Sequence, residues 1–499
     1  MKRWWPLLAA VNGIYALGWL VRAGTRVPLW YDELFTVRLS AIPATRDLWR
    51  ALLDSFDFNP PGLYLVTRIA RLGPVADPLG ARLPALVGVA LLMATMFVFL
   101  RRRVGAAAAT AAVALIPLSN FVGRYAIEAR AYMLVLGVSG CALLCWQSIG
   151  ETGGRRRILA ASGLAVAIAF ALTLHVWSII LPAALLAGEA AITVRTGRIR
   201  WIAIVALAAA APTLALYPAL LAATKEVAFT NMVYSPTLPK LLSAMLTTVP
   251  RLRALAILAL GVVAARVLAR DLPHTDAGRS RGLLTEERIV LAGLVLSPVV
   301  PYAYAAATSG AFMTRYALFV VIGVTGLLAD VLFAVSRRSA AAGTAAAVIA
   351  SVTMWIYLPA RVWVGPDQEV PSLAVLRTAD RLATGDVPVV LVNPLDPLAV
   401  DERATDRDRR ALTFVADPVA ARRYTGADLV DFTYLRGERY LHIRIPRTTY
   451  TDLTAHTARI YLLGEWQPLS WIPQRLKGDG WTLTRVGGTD AAPLYEAVR

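Results

Sequence analysis

The chain has 499 residues, 57% of them hydrophobic and only 17% charged, with a mean hydropathy of +0.56 and a formal net charge of +18. So apolar a composition excludes an ordinary soluble domain and a disordered chain, and two cysteines exclude a disulfide-built scaffold. The positive charge collects in short segments between apolar runs, with no nucleic-acid motif beside it, so it is not a nucleic-acid footprint.

Taken in chain order, apolar runs at 4–22, 83–100, 105–121, 131–149, 158–174, 176–194, 201–221, 252–269, 289–307, 316–335 and 340–358 are each of a length that crosses a hydrocarbon core of about 30 Å as a helix. They predict a polytopic α-helical membrane protein with about eleven transmembrane helices. The first run, in MKRWWPLLAAVNGIYALGWLV, has the basic start of a signal peptide, but no convincing small-x-small cleavage site follows, and a retained first helix is expected. Cys141 and Cys145 lie within the fourth run and read as small packing residues.

Lys2 and Arg3, Arg101 to Arg103, Arg155 to Arg157, Arg195, Arg198, Arg200, the segment Arg266 to Arg288, and Arg337 with Arg338 all fall on one side of these runs. By the positive-inside rule that side is cytoplasmic, which places a multi-pass chain in the cell membrane with its C-terminal part outside. The first external loop, about 23–80, breaks the bias with Arg22, Arg26, Arg38, Arg46, Arg50, Arg68, Arg71 and Arg82 at or near its ends. Either it rests on anionic headgroups or it holds a phosphate.

Inside that loop, ATRDLWRALLDSF (44–56) sets Leu48, Trp49, Leu52, Leu53 and Phe56 at helical spacing, as in a short interfacial helix. A second helix, GLYLVTRIARLG (62–73), follows two prolines that suit its start. Residues 1–358 thus form the membrane region and 359–499 a small extracytoplasmic α/β domain, with strands expected in DVPVVLV, ERYLHIRIP and ARIYLLGEW. Trp355, Tyr357 and Trp363 near its start suit the headgroup level.

The residues with chemistry cluster at the external ends. Asp32 and Glu33 in PLWYDELFTVRLS (28–40) have two readings, a helix N-terminus that offsets the macrodipole or a pair of functional carboxylates. Glu128 in RYAIEARAYML (124–134) follows Arg124 by four positions, which also allows a local ion pair, and Arg130 flanks them. Arg315 and Tyr316 enter the tenth run from the same side. Ionisable groups at a bilayer edge are candidates for function. His175, at the end of the fifth run, reads either as an interface hydrogen-bonding residue or as a ligand to donor or metal; Tyr125, Tyr132 and Trp177 read as belt aromatics or as stacking partners for sugar or isoprenoid. Glu189 is the acid nearest mid-membrane.

WYDE (30–33), NPPGLYLVTRIARL (59–72), RLPALVGV (82–89), RYAIEARAYML and TRYALF (314–319) together resemble the GT-C superfamily of lipid-dependent glycosyltransferases, the group of the protein O-mannosyltransferases and aminoarabinose transferases. Asn59 stands where many relatives have His. The resemblance implies an inverting transfer of a sugar, mannose or arabinofuranose among those the family handles, from a polyprenyl-phosphate donor to a hydroxyl of a glycan, lipid or protein acceptor, in envelope biosynthesis. It implies Asp32 as base, with Glu33 and Glu128 orienting the acceptor. Arg130, Arg315, Arg68 and Lys225 would hold the donor phosphate. Tyr125, Tyr132, His175, Asn59, Asp57 and Tyr316 would bind substrate. A divalent cation, Mg²⁺ or Mn²⁺, would sit on Asp32 and Glu128. Two other classes share the composition: a transporter or flippase of polyprenyl-linked lipid, expected to show broken helices and midplane charges, and a membrane-anchored sugar-binding scaffold.

Overall fold

A computed structural model describes residues 4–224, 235–268, 282–308, 310–336, 340–362, 370–378 and 387–499. Helices α1 (Trp4–Arg26), α2 (Tyr31–Ala41), α3 (Thr45–Leu53), α4 (Gly62–Arg71), α5 (Leu79–Val104), α6 (Ala106–Ala114), α7 (Asn120–Tyr125), α8 (Tyr132–Glu151) and α9 (Gly154–Leu174) form the first half of the membrane region. The second half holds α10 (Ile180–Thr196), α11 (Trp201–Ala208), α12 (Tyr217–Thr224), α13 (Leu238–Thr248), α14 (Leu252–Leu268), α15 (Thr285–Leu296), α16 (Val299–Thr308), α17 (Val320–Ser336) and α18 (Ala340–Val362).

Among the described residues eight helices are long and apolar enough to cross a membrane, and nine when the pair α15 and α16, bent by 40°, is counted as one span. The bend falls at Ser297 and Pro298, where proline removes an intrahelical donor. Two further expected runs are apolar but shorter: Ala106–Leu118 and the 17-residue α14. The protein is a multi-pass helical membrane protein.

The first and last helices close on each other, Asn12 Nδ2 donating to Ser351 Oγ at 2.8 Å and the Tyr15 hydroxyl to the Trp355 carbonyl at 2.7 Å. Helix α5 runs close along α8, and α8 along α9. The α5–α8 crossing is tight because it is made of glycines: a Cβ at Gly88 would lie 2.2 Å from the Met133 carbonyl oxygen, and one at Gly137 2.5 Å from that of Gly88. Cys141 and Cys145 are free thiols on α8.

The two ends of the bundle differ. One end carries an ion-pair layer, in which Glu287 accepts from Arg103 Nε at 2.8 Å and Gln147 Nε2 at 3.0 Å, and Arg195 reaches Glu286 at 2.8 Å. Glu189 belongs to it, accepting from Trp146 Nε1 at 2.6 Å and Arg200 Nε at 2.9 Å, so this acid is bound as a layer residue rather than left at midplane. The other end carries α2, α3, α4 and the C-terminal region.

Helices α3 and α4 form where the sequence predicts amphipathic helices, with Leu48, Ala51 and Leu52 buried; Leu53, expected on that face, is 37% exposed. Of the loop's arginines, Arg38 pairs with Glu402, Arg71 with Asp77 and Arg82 with Glu33, while Arg22, Arg46 and Arg50 are exposed.

In the C-terminal region β1 (Val389–Leu391), β2 (Leu412–Val415), β3 (Arg447–Thr448), β4 (Arg459–Leu463), β5 (Thr482–Gly488) and β6 (Pro493–Val498) form a six-stranded sheet in the order β3-β2-β1-β4-β6-β5. The first four positions are parallel and the β6–β5 hairpin is antiparallel to β4. Strands in DVPVVLV and ARIYLLGEW are where expected. ERYLHIRIP is not one: Glu438–Leu441 is a short helix ended by His442 in the left-handed region (φ 48°), and strand structure begins only at Arg447. Burial of Leu441 and docking of Tyr440 on the first loop override the alternating pattern.

Candidate active site

The geometry starts at the first turn of α2. Trp30 caps it, and Asp32 and Glu33 lie in that turn, where acids offset the helix dipole. The helical reading of these acids and their clustering with other charged groups hold together, because adjacent helix positions point about 100° apart.

Glu33 faces inward and is wholly buried against an equally buried Arg82. Arg82 Nε donates to Oε1 at 2.7 Å and Nη2 to Oε2 at 2.6 Å, and the Glu33 carboxylate also accepts from the backbone N–H of Ala129 at 2.7 Å and of Trp30 at 3.3 Å. Arg82 further donates to the carbonyls of Gly24, Val27 and Pro28. This closed set ties α1, α2, α5 and the 126–131 turn together, and leaves Glu33 no oxygen for acceptor or metal. Glu33 holds helices together through Arg82, a correction to the acceptor-orienting part that the resemblance implies for it.

Asp32 faces the other way. Its Oδ2 accepts from Arg315 Nη1 at 2.7 Å, and Oδ1 has no hydrogen-bond donor among the described residues. Arg130 stands beside it: Nη1 donates to Asp57 Oδ2 at 2.7 Å, to the Asp32 carbonyl at 3.2 Å and to Thr36 Oγ1 at 3.3 Å, while its Nε is buried without a partner. Asp57 Oδ1 accepts from Asn59 Nδ2 at 3.1 Å and from the Phe58 N–H at 2.7 Å. Burial alone would raise the Asp57 carboxyl, but Arg130 and these hydrogen bonds hold it below the usual carboxylate range.

Glu128 Oε1 accepts from Arg124 Nε at 3.0 Å, the i, i+4 pair that the spacing allows, and its Oε2 is buried without a partner. Burial pushes the Glu128 carboxyl up to about 7, against the pull of Arg124, and the nearby Glu33 and Asp32 charges add to the rise. Arg124 itself lies over the rings of Trp30 and Tyr125.

Aromatic side chains wall this cluster. Tyr125 and Tyr132 meet with ring centroids 4.7 Å apart, and Tyr132 meets His175 at 5.4 Å. The His175 Nδ1 accepts from the Trp177 N–H at 3.2 Å, and Trp177 contacts Tyr316 at 5.6 Å. His175 thus caps the turn that follows it and packs on Tyr132.

The structure thus brings together Asp32, Asp57, Asn59, Tyr125, Glu128, Arg130, Tyr132, His175, Arg315 and Tyr316. It keeps Arg68 apart: that guanidinium donates to the carbonyls of Ser40 (3.0 Å), Pro43 (3.1 Å) and Ile42, closing the C-terminal end of α2. Its placement with the donor phosphate is corrected accordingly. Lys225 and Trp363 lie outside the described residues. The sequence reading gave no role to Thr36 or to Tyr64, whose hydroxyl lies beside Asp57, and it placed Arg82 only among the loop arginines for headgroups or phosphate, not with Glu33. No short-range signal marks Arg82, which is 49 residues from Glu33.

Among the described residues no group of three or more His, Cys, Asp or Glu side chains is arranged to hold a metal ion. Of the two acids expected to bind a cation, Asp32 is engaged by Arg315 and Glu128 by Arg124.

Fold and site define a multi-pass membrane protein with a charged cluster flanked by aromatic rings at the end of the bundle that bears an α/β domain. No family model matches the chain, and no curated protein matches it. Solved structures similar to it are ArnT from Cupriavidus metallidurans bound to undecaprenyl phosphate (14% identity, 99% of this chain and 98% of that one, TM-score 0.42), the Archaeoglobus fulgidus oligosaccharyltransferase (11%, 93% and 70%, 0.45) and the arabinosyltransferase EmbB from Mycobacterium smegmatis (14%, 96% and 45%, 0.36). These structural neighbours are GT-C glycosyltransferases. At such identities and scores the likeness is distant, and the functional reading rests on the site.

Proposed function

We propose that the protein is an integral-membrane inverting glycosyltransferase that moves a sugar from a polyprenyl-phosphate donor to an acceptor hydroxyl on the extracytoplasmic side of the cell membrane. Mannose and arabinofuranose are the sugars to try first. The observation that carries the reading is a carboxylate, Asp32, with one oxygen held by Arg315 and the other open, beside a second guanidinium, Arg130, whose Nε is buried and unpartnered.

A polyprenyl phosphate is already a good leaving group, so the chemistry asks for positive charge at the phosphate and a base at the acceptor. Arg130 and Arg315 each use only Nη1 in hydrogen bonds among the described residues, leaving N–H groups for phosphate oxygens. Asp32 Oδ1 takes the proton as the acceptor oxygen bonds to the anomeric carbon, and the carbon–oxygen bond to phosphate breaks with its electron pair leaving on the phosphate. Asp57 and Glu33 hold the arginines and the helix in register. No step passes through a metal.

The charge balance suits such a donor. With Glu128 protonated, the guanidiniums of Arg82, Arg124, Arg130 and Arg315 face the carboxylates of Glu33, Asp32 and Asp57, a surplus of one positive charge. A sugar esterified to polyprenyl phosphate carries one negative charge.

The test is donor consumption in lipid nanodiscs with a panel of polyprenyl-phosphate sugars and a membrane extract supplying acceptors. Wild type should consume one donor, and Asp32→Asn should lose at least a thousandfold in turnover while its donor dissociation constant stays within about threefold, as expected for loss of a general base. A mutant that turns over at the wild-type rate overturns the assignment.

A further inference from the structure

Six aromatic rings run from the α/β domain into the first loop and back. Phe414 on β2 meets Tyr434 at 5.3 Å between centroids, Tyr434 meets Tyr31 at 6.3 Å, and Tyr31 meets Phe35 at 4.6 Å. Phe35 meets Phe56 at 4.9 Å, and Phe56 meets Tyr440 at 5.6 Å, which returns the ladder to the α/β domain. Tyr31 directly precedes Asp32, and Phe56 directly precedes Asp57. The two carboxylates that hold Arg315 and Arg130 are therefore each one residue from a ring gripped by the α/β domain.

The grip is specific at both ends. The Tyr434 hydroxyl donates to the Pro394 carbonyl at 2.9 Å, fixing the ring against the loop that leaves β1. The Tyr440 hydroxyl donates to Asp54 at 3.3 Å, and Arg439 pairs with the same carboxylate. Gly437 allows the close seat, since a Cβ there would lie 2.3 Å from Phe56 Cε2. On the opposite side of the turn the Ser55 hydroxyl donates to the Ala223 carbonyl at 2.7 Å, with Ser55 in the left-handed region (φ 63°). A second clamp joins α2 to the same domain through Arg38 and Glu402 at 2.6 Å.

Resting on the glycosyltransferase reading, we infer that the α/β domain is a clamp that sets the spacing between the Asp32–Arg315 and Asp57–Arg130 pairs, with Tyr434 and Tyr440 as positioning residues that touch no substrate. A ring packed against both flanks restricts the backbone on either side of it, and displacement of a reacting group by about 1 Å costs on the order of a hundredfold in rate.

The experiment compares Tyr434→Leu, Tyr440→Leu, the ring-preserving Tyr434→Phe and Tyr440→Phe, and the surface charge reversal Glu402→Arg with and without Arg38→Glu, all in the full chain in nanodiscs. The leucine variants should lose at least tenfold in kcat with KM for the donor within twofold, the phenylalanine variants should stay within threefold of wild type, and Arg38→Glu should restore most of the activity that Glu402→Arg loses. Backbone amide exchange in 31–35 and 54–58 should speed up at least tenfold in the leucine variants, a readout that needs no turnover. Leucine variants with wild-type kcat and unchanged exchange overturn the clamp, as does an equal loss in the phenylalanine variants. Should a leucine variant not fold, the charge reversal and its swap decide: no loss, or no rescue, overturns it. Failure of the glycosyltransferase reading shows separately, as a wild type that consumes no donor while the exchange difference persists.

Discussion

Asp32 and Glu33 show how one residue of helical rotation separates two jobs. Glu33 is buried with Arg82 and saturated with donors, so removing it strands a guanidinium among carbonyls in a dry interior. Breaking a buried pair of this kind costs about 3–5 kcal/mol, so Glu33→Ala should lower the thermal midpoint sharply, measured by tryptophan fluorescence in detergent, whereas Asp32→Asn should leave it nearly unchanged. Glu128 makes a different prediction. Its carboxyl, pushed up to about 7, is mostly neutral below that pH and mostly charged above it, so raising the pH adds a negative charge beside the arginines proposed to hold the phosphate. Donor affinity should therefore fall several-fold between pH 6 and 8, and Glu128→Gln should flatten that dependence at the tight-binding level, read by titration calorimetry with a non-transferable donor analogue. The acids of this site were legible in the sequence because carboxylates are rare in so apolar a chain. Their partners Arg82 and Arg315 are brought in by packing over long separations, and no local pattern announces that.

At the scale of elements, α2 is the hub: its first turn holds the site, its last turn is closed by Arg68, and its outer side bears the α/β domain. Three of the Arg68 guanidinium nitrogens satisfy carbonyls that α2 and its exit would otherwise leave unpaired. Leaving buried acceptors without donors costs about 1–3 kcal/mol, so Arg68→Ala should reduce thermal stability while the donor dissociation constant, measured on the folded fraction, stays within twofold; a phosphate ligand would show the reverse. Helices α3 and α4 were readable because amphipathic spacing and a Pro-Pro start are local signals. The short helix at Glu438–Leu441 was not, because its period was set by docking onto Phe56 rather than by its own sequence. The bend between α15 and α16 follows from a proline whose effect on a membrane helix depends on what its neighbours supply.

The whole molecule is polar in the literal sense. One end of the bundle carries the ion pairs of Arg103, Glu287, Arg200 and Glu189, with Arg155 and Arg156 in the first turn of α9, and the other carries the site and the α/β domain. Since cytoplasmic loops gather arginine, the ion-paired end is expected on the cytoplasmic side and the charged cluster outside. That assignment makes a single labelling experiment decisive. In a background with Cys141 and Cys145 replaced by alanine, a cysteine at the exposed Thr484 of β5 should react with a membrane-impermeant maleimide in intact cells. A cysteine at the exposed Arg156 should react only after the membrane is opened. The opposite pattern would put the pocket in the cytosol, where a nucleotide-linked donor replaces a polyprenyl-linked one as the substrate to look for. The expected pattern instead explains why the site presents guanidiniums at the rim of the bundle: the donor arrives from the bilayer and the acceptor from the aqueous side, and Asp32 stands where those two routes meet.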